Sequence, residues 1–246
     1  ALLTLLGLAN VATHFARLGV LDMPAAYGIR VALDVVLFIM SVMGGRVIPM
    51  FTNNGVPGTG AERRSVVERL ALGSTLALLA ADALQAGGVV LAVLAALCGL
   101  AHAWRFALWR GWKTLGTPLV WILHAAYVWI PIHLALRSFA ALGSVSESLA
   151  SHALTVGAIG GLTIGMMTRT ARGHTGRLLR ADRWEVAAYL LVALAAVVRV
   201  FVPLVVPAAY VAAVGASGLL WSAGFGIYAV RYWPILTRAR PDGRPG

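Results

Sequence analysis

Of the 246 residues, 60% are hydrophobic and only 12% charged, with a mean hydropathy of +0.83; these values exclude an ordinary soluble domain and indicate a chain that crosses a bilayer many times. The formal net charge of +11 would suggest nucleic acid in a soluble protein, but the arginines gather in short flanks between apolar runs, as on the cytoplasmic side of membrane proteins, so no nucleic-acid partner is expected. The one cysteine, Cys98, lies in an apolar run, which excludes an intrachain disulfide and leaves packing as its expected role.

Eight spans follow in chain order, each near the roughly 20 residues a helix needs to cross. Span one (about 1 to 18) carries Asn10 and His14. Span two (about 28 to 50) carries Asp34 and ends in Gly44, Gly45, Arg46 and Pro49. The turn-rich loop NNGVPGTGAERR leads to span three (about 66 to 84), which ends at Asp82, and Gly87-Gly88 turns into span four (about 88 to 108) with His102. Span five (about 115 to 136) holds His124 and His133, span six begins at His152, span seven (about 184 to 206) contains Arg199, and span eight covers about 208 to 232. The fold class is therefore all-α, a polytopic transmembrane bundle in one domain. The chain opens directly on ALLTLLGLAN without an initiator methionine, as expected of part of a longer protein.

Positive residues set the orientation. Arg46, Arg63, Arg64 and Arg69 follow span two, Arg105, Arg110 and Lys113 follow span four, five arginines follow span six, and Arg231, Arg238, Arg240 and Arg244 lie near the end. The alternate connections hold only Arg17, Arg30 and Arg137, so the rich side is cytoplasmic and both ends face it.

Span six is expected at the centre of the bundle. Ala153, Gly157, Gly161 and Gly165 recur every fourth residue, giving a nearly bare helix face against which a neighbour can pack closely. With the orientation fixed, His14, Asp34, Asp82, His133, His152 and Arg199 share the outer leaflet, and ionisable groups there need partners or ligands. His124 lies deeper, where water does not reach its imidazole, on a face with Trp121 and Tyr127 or Val128. His124 and His133 are nine residues apart, on opposite faces and roughly 13 Å apart along the axis, so they cannot ligate one metal.

Plainer roles stand beside these. His102 and His133 can be histidines bonded to a carbonyl, and Asp34 with Arg199 a purely structural ion pair. Trp104, Trp109, Trp112, Trp184 and Trp233 fit an interfacial belt, and Met166-Met167 fits packing. No phosphate-binding loop, His-Glu zinc motif or nucleophile-base pair is present.

The strings GGRVIPMFTNNG (44–55), HALTVGAIGGLTIGMMTRTARGHTGR (152–177) and YAVRYWPILTRARPDGRPG (228–246), with ANVATHF (9–15) and ILHAAYVWIP (122–131), resemble the NnrS family of bacterial inner-membrane proteins over essentially the whole chain. Members are longer, with about twelve spans, and carry a WHAHEM-like motif that is absent here, so the resemblance places this chain at the last eight spans. It implies a protein of the bacterial inner membrane that binds haem and copper, linked to nitric oxide metabolism, nitrosative stress and denitrification. It further implies His14, His124 and His152 as metal ligands, with Arg46 and Arg199 as charge partners of propionates or carboxylates. Both metals accept neutral imidazole.

Two other classes remain open. A transporter or permease for a small ion would share the many spans, the GGRVIP break and the charges at depth, but should show internal repeats, and none is visible between the first and last four spans. A cytochrome-type respiratory subunit would need two bis-histidine pairs on facing helices, which six histidines do not obviously supply. Whether the protein turns over its substrate is not legible.

Overall fold

The computed structural model describes residues 2–241 and 243; Arg244 of the expected basic tail lies outside them. The described residues form ten α-helices and no strand: α1 (Leu2–Arg17), α2 (Ala25–Gly55), α3 (Ser65–Ala83), α4 (Gly88–Leu108), α5 (Pro118–Tyr127), α6 (Trp129–Ala141), α7 (Glu147–His152), α8 (Gly160–His174), α9 (Arg183–Val205) and α10 (Tyr210–Thr237). Helices are the open-ended structure that satisfies its own backbone in hydrocarbon, which is why apolar runs fold this way. α5 runs into α6 through Val128, which keeps right-handed helical dihedrals. α7 joins α8 through a π-helical segment, Ala153–Ile159.

Six passages are long and apolar enough to cross a membrane: α2, α4, α5 with α6, α7 with α8, α9, and α10. The eight expected spans add α1 and α3. α1 has 16 residues, and α3 carries Glu68, Arg69 and Asp82. The chain is a multi-pass membrane bundle in which α2 packs on α3, α4 on α3 and α6, α5 on α8, and α9 on α10.

Local chemistry fixes several ends. Pro118 opens α5, where its missing N–H costs nothing. Asp182 caps α9: its carboxylate accepts from the N–H groups of Trp184 and Glu185, and Glu185 accepts from the Asp182 N–H at 2.8 Å.

The bare face of the sixth expected span is central, as its spacing requires. An ideal Cβ on Gly161 would stand 2.7 Å from the Ala126 Cβ, and one on Gly165 3.0 Å from side-chain atoms of Ile122 and Leu123. At Gly157 it would overlap the Trp129 indole, and at Gly160 the Trp221 ring. The small residues therefore let α5 and α6 lie directly on this span. The π-helical segment was not foreseeable: i to i+5 bonding is a cooperative choice of the packed helix, here with the Trp129 indole beside Gly157, and Ala153–Ile159 carries no residue pattern of its own.

Candidate functional site

Three polar clusters hold His133, His152 and His124 in turn. The first joins α2, α3 and α6. Asp34, Asp82 and Arg137 are all buried, and the Arg137 guanidinium pairs with both aspartates. Arg30 donates to both carboxylate oxygens of Glu147 at 3.1 and 2.9 Å and lies 3.9 Å from Asp82. The ion pair considered between Asp34 and Arg199 is not formed; Arg137 takes that place. Counted as a connection charge, Arg137 sits instead inside α6, one helical turn after His133.

His133 belongs to this cluster. Its Nδ1–H donates to the Ala150 carbonyl at 2.7 Å, the carbonyl bond anticipated for it, which leaves Nε2 a bare acceptor, buried and unpartnered. His133 and Arg137 line a cavity of about 40 Å³ with Arg30, Glu147 and Ser151. That volume holds a water or two and not a macrocycle.

The second cluster sits where α7 meets α9. The His152 Nδ1–H donates to the Ser148 carbonyl at 2.6 Å, so Nε2 accepts, and it does so from Arg199 Nη2 at 3.0 Å. Arg199 Nη2 also donates to the Tyr210 hydroxyl at 3.3 Å. Both His152 nitrogens are thus engaged, and a metal at Nε2 would first have to displace Arg199. The sequence reading brought these two residues to the same depth without foreseeing that they bond.

The third cluster lies between α2, α4 and α5. Thr52 sends its hydroxyl hydrogen to the Ile48 carbonyl, so at 2.7 Å it accepts from His124 Nε2–H. His124 Nδ1 then carries a bare lone pair and, buried, has no partner. An ideal Cβ on Gly111 would come 2.7 Å from that nitrogen and 2.8 Å from Cγ, so the bare glycine backbone packs directly against this side of the ring. Phe106 and Trp109 present their rings edge-on to the imidazole, with centroids 6.0 and 6.4 Å away. Of the expected companions, Trp121 packs instead on Tyr189, while Tyr127 packs on the same Phe106 and Trp109 rings. His124 lies only six residues into α5, about 9 Å along the axis, level with the last turn of α2.

Beside it runs a bond chain of fixed polarity. Arg105 donates to the Tyr127 hydroxyl at 3.3 Å, Tyr127 to His102 Nδ1 at 2.6 Å, and His102 Nε2–H to Thr75 at 3.0 Å, whose own hydrogen goes to the Ala71 carbonyl. Glu68 neutralises Arg105 through two bonds. Every side-chain group in this chain is satisfied, so it is a rigid structural network.

A family model described as NnrS protein matches residues 1–240. The chain belongs to the NnrS family. No curated protein and no solved structure matches it.

In this NnrS-family member the three expected histidine ligands do not converge. His14 is exposed on α1, in a groove of about 340 Å³ that it lines with Asn10, Thr13 and Gly28. His152 is bound to Arg199, and His124 stands alone in its aromatic surround. Among the described residues no group of three or more His, Cys, Asp or Glu side chains can hold a metal ion. Arg46 is exposed on α2. The residues present therefore fit a single imidazole contact at His124, with its orphaned nitrogen, and do not fit a closed centre made from the described residues alone. Residues missed by sequence reading are Arg137, for which the His133/Arg137 spacing of four was the available signal, and Trp109, fully buried rather than interfacial. Trp104, Trp112, Trp184 and Trp233 are exposed, as a belt requires.

Proposed function

We propose that this membrane protein binds haem or copper and acts in nitric oxide metabolism and resistance to nitrosative stress in the bacterial inner membrane. Family membership supports the reading, and the observation that carries it is the bare, buried and unpartnered Nδ1 of His124. A neutral imidazole with its other nitrogen fixed by a hydrogen bond is the form that ligates iron or copper, and Thr52 fixes Nε2 in that way. When bound, the metal supplies an open coordination position for a diatomic ligand. This chain's residues hold the imidazole: Thr52 sets its tautomer, and Phe106 and Trp109 fix the ring plane and keep water out. His14, exposed in its groove on α1, is a separate imidazole that does not share the His124 site.

His124→Gln keeps an amide N–H for Thr52 but removes the second ring nitrogen. We expect lower haem or copper content and a shifted visible band in the intact membrane protein, with yield close to wild type; His124→Ala should show the same loss with a lower melting temperature. Unchanged metal content and spectrum in both variants would assign His124 to packing.

The proposed orientation places residues 56–64 and 175–182 in the cytoplasm. Gly58 and Gly176 hold positive φ values, where cysteine is strained, so the probes belong at exposed Asn54 and Leu178 in a Cys98→Ala background. Both should resist a membrane-impermeant thiol reagent in spheroplasts, whereas Ser144→Cys in the opposite connection should react. The reverse pattern inverts the topology.

A further inference from the structure

Arg199 is 7% exposed, six residues before the end of α9 and so about 9 Å inside it. Other deep arginines are neutralised: Arg105 pairs with Glu68, Arg137 with Asp34 and Asp82, and Arg172 with Glu185. Arg169 lies 3.8 Å over the Phe51 ring. Arg199 forms no ion pair among the described residues. Its bonded partners are neutral: His152, whose Nδ1–H is spent on a carbonyl so that Nε2 accepts without charge, and the Tyr210 hydroxyl. Its Nη1 is buried with no partner at all. A full positive charge is thus covered by protein at membrane depth with unused donors, an arrangement that costs several kcal/mol unless an anion completes it.

The surroundings favour an oxygen anion. Guanidinium donors match the two oxygens of a carboxylate or small oxyanion, and the single net charge of the site calls for a monovalent one. Tyr210, bonded to Arg199, is also a wall of a groove of about 370 Å³ bounded by Ser144, Ser146, Leu149, Pro203 and Pro207; Arg199 is not itself one of its walls and meets it through Tyr210. The serine hydroxyls are further donors in an otherwise largely apolar wall.

We propose that Arg199, Tyr210 and the adjoining groove form a binding site for a small monovalent carboxylate or oxyanion, with His152 holding the guanidinium in place. The site is independent of metal binding at His124.

The test uses the purified chain in nanodiscs of zwitterionic lipid, with melting followed against sodium acetate at an ionic strength held constant with sodium chloride. A saturable rise in melting temperature is expected. Arg199→Gln should weaken the acetate response about tenfold or more, and Arg199→Lys should keep part of it. Should Arg199→Gln fail to fold, Tyr210→Phe removes only the hydroxyl and should weaken the response severalfold. Absence of a saturable response in wild type, or an equal response in the variants, overturns the site. A rise produced by phosphatidylglycerol nanodiscs but not by acetate also overturns it, because the occupant is then a lipid phosphate.

Discussion

Arg137→Leu will collapse the folded yield of this protein. The substitution leaves the Asp34 and Asp82 carboxylates buried without their shared guanidinium, with only Arg30 at 3.9 Å from Asp82. Breaking a buried pair by removing one partner typically costs about 3 to 5 kcal/mol, and here two carboxylates lose the same partner. Arg137→Lys should be intermediate, since an ammonium does not present two donor arms to two acids. The combination Arg137→Leu, Asp34→Asn, Asp82→Asn should recover much of the yield, because the repulsion is gone and the amides can bond to each other. Size-exclusion profiles and melting temperatures in detergent measure this directly. A single Arg137→Leu variant with wild-type melting would mean that the cluster is reached by water and is not a stabilising core.

Gly161→Leu is the second large effect. A Cβ at this position already meets Ala126 at 2.7 Å and its Cα at 3.3 Å, so α5 must move before any branch is added. Overpacking of this kind typically costs about 1 to 3 kcal/mol, and backbone contact on one side favours the upper end. Gly161→Ala should destabilise less, and Ala126→Gly should partly rescue it by returning the missing space. If Gly161→Leu melts like wild type, the close approach of α5 and the Gly161 helix is not present in the membrane.

What could be read from residues alone was periodic. The every-fourth glycines fixed the centre of the bundle, because a stripe with no side chains has one use between helices. Apolar runs placed six of the eight expected passages; α1 and α3 fall outside the set long and apolar enough to cross, one being short and the other carrying three charges. Pairing between distant polar residues was not legible. Depth put Asp34, Asp82, His152 and Arg199 in one layer, but depth says nothing about rotation, and the rotation of α6 decides that Arg137 and not Arg199 meets Asp34. For the same reason three histidines carried over as one ligand set fall into three places. His124 and His152 belong to passages that touch along their glycine face, yet one imidazole turns toward α2 and α4 and the other toward α9.

The π-helical segment gives that last difference a mechanical meaning. Ala153–Ile159 separates one passage into two parts whose angular phase is set independently. Below it, Gly161 and Gly165 are locked in register against α5; above it, His152 is aimed at Arg199. Removing one residue from the wider coil and returning it to α-helix turns the upper part by about 100° about its axis and leaves the lower part seated. The passage is thus a shaft with a single collar, its two ends held against different neighbours.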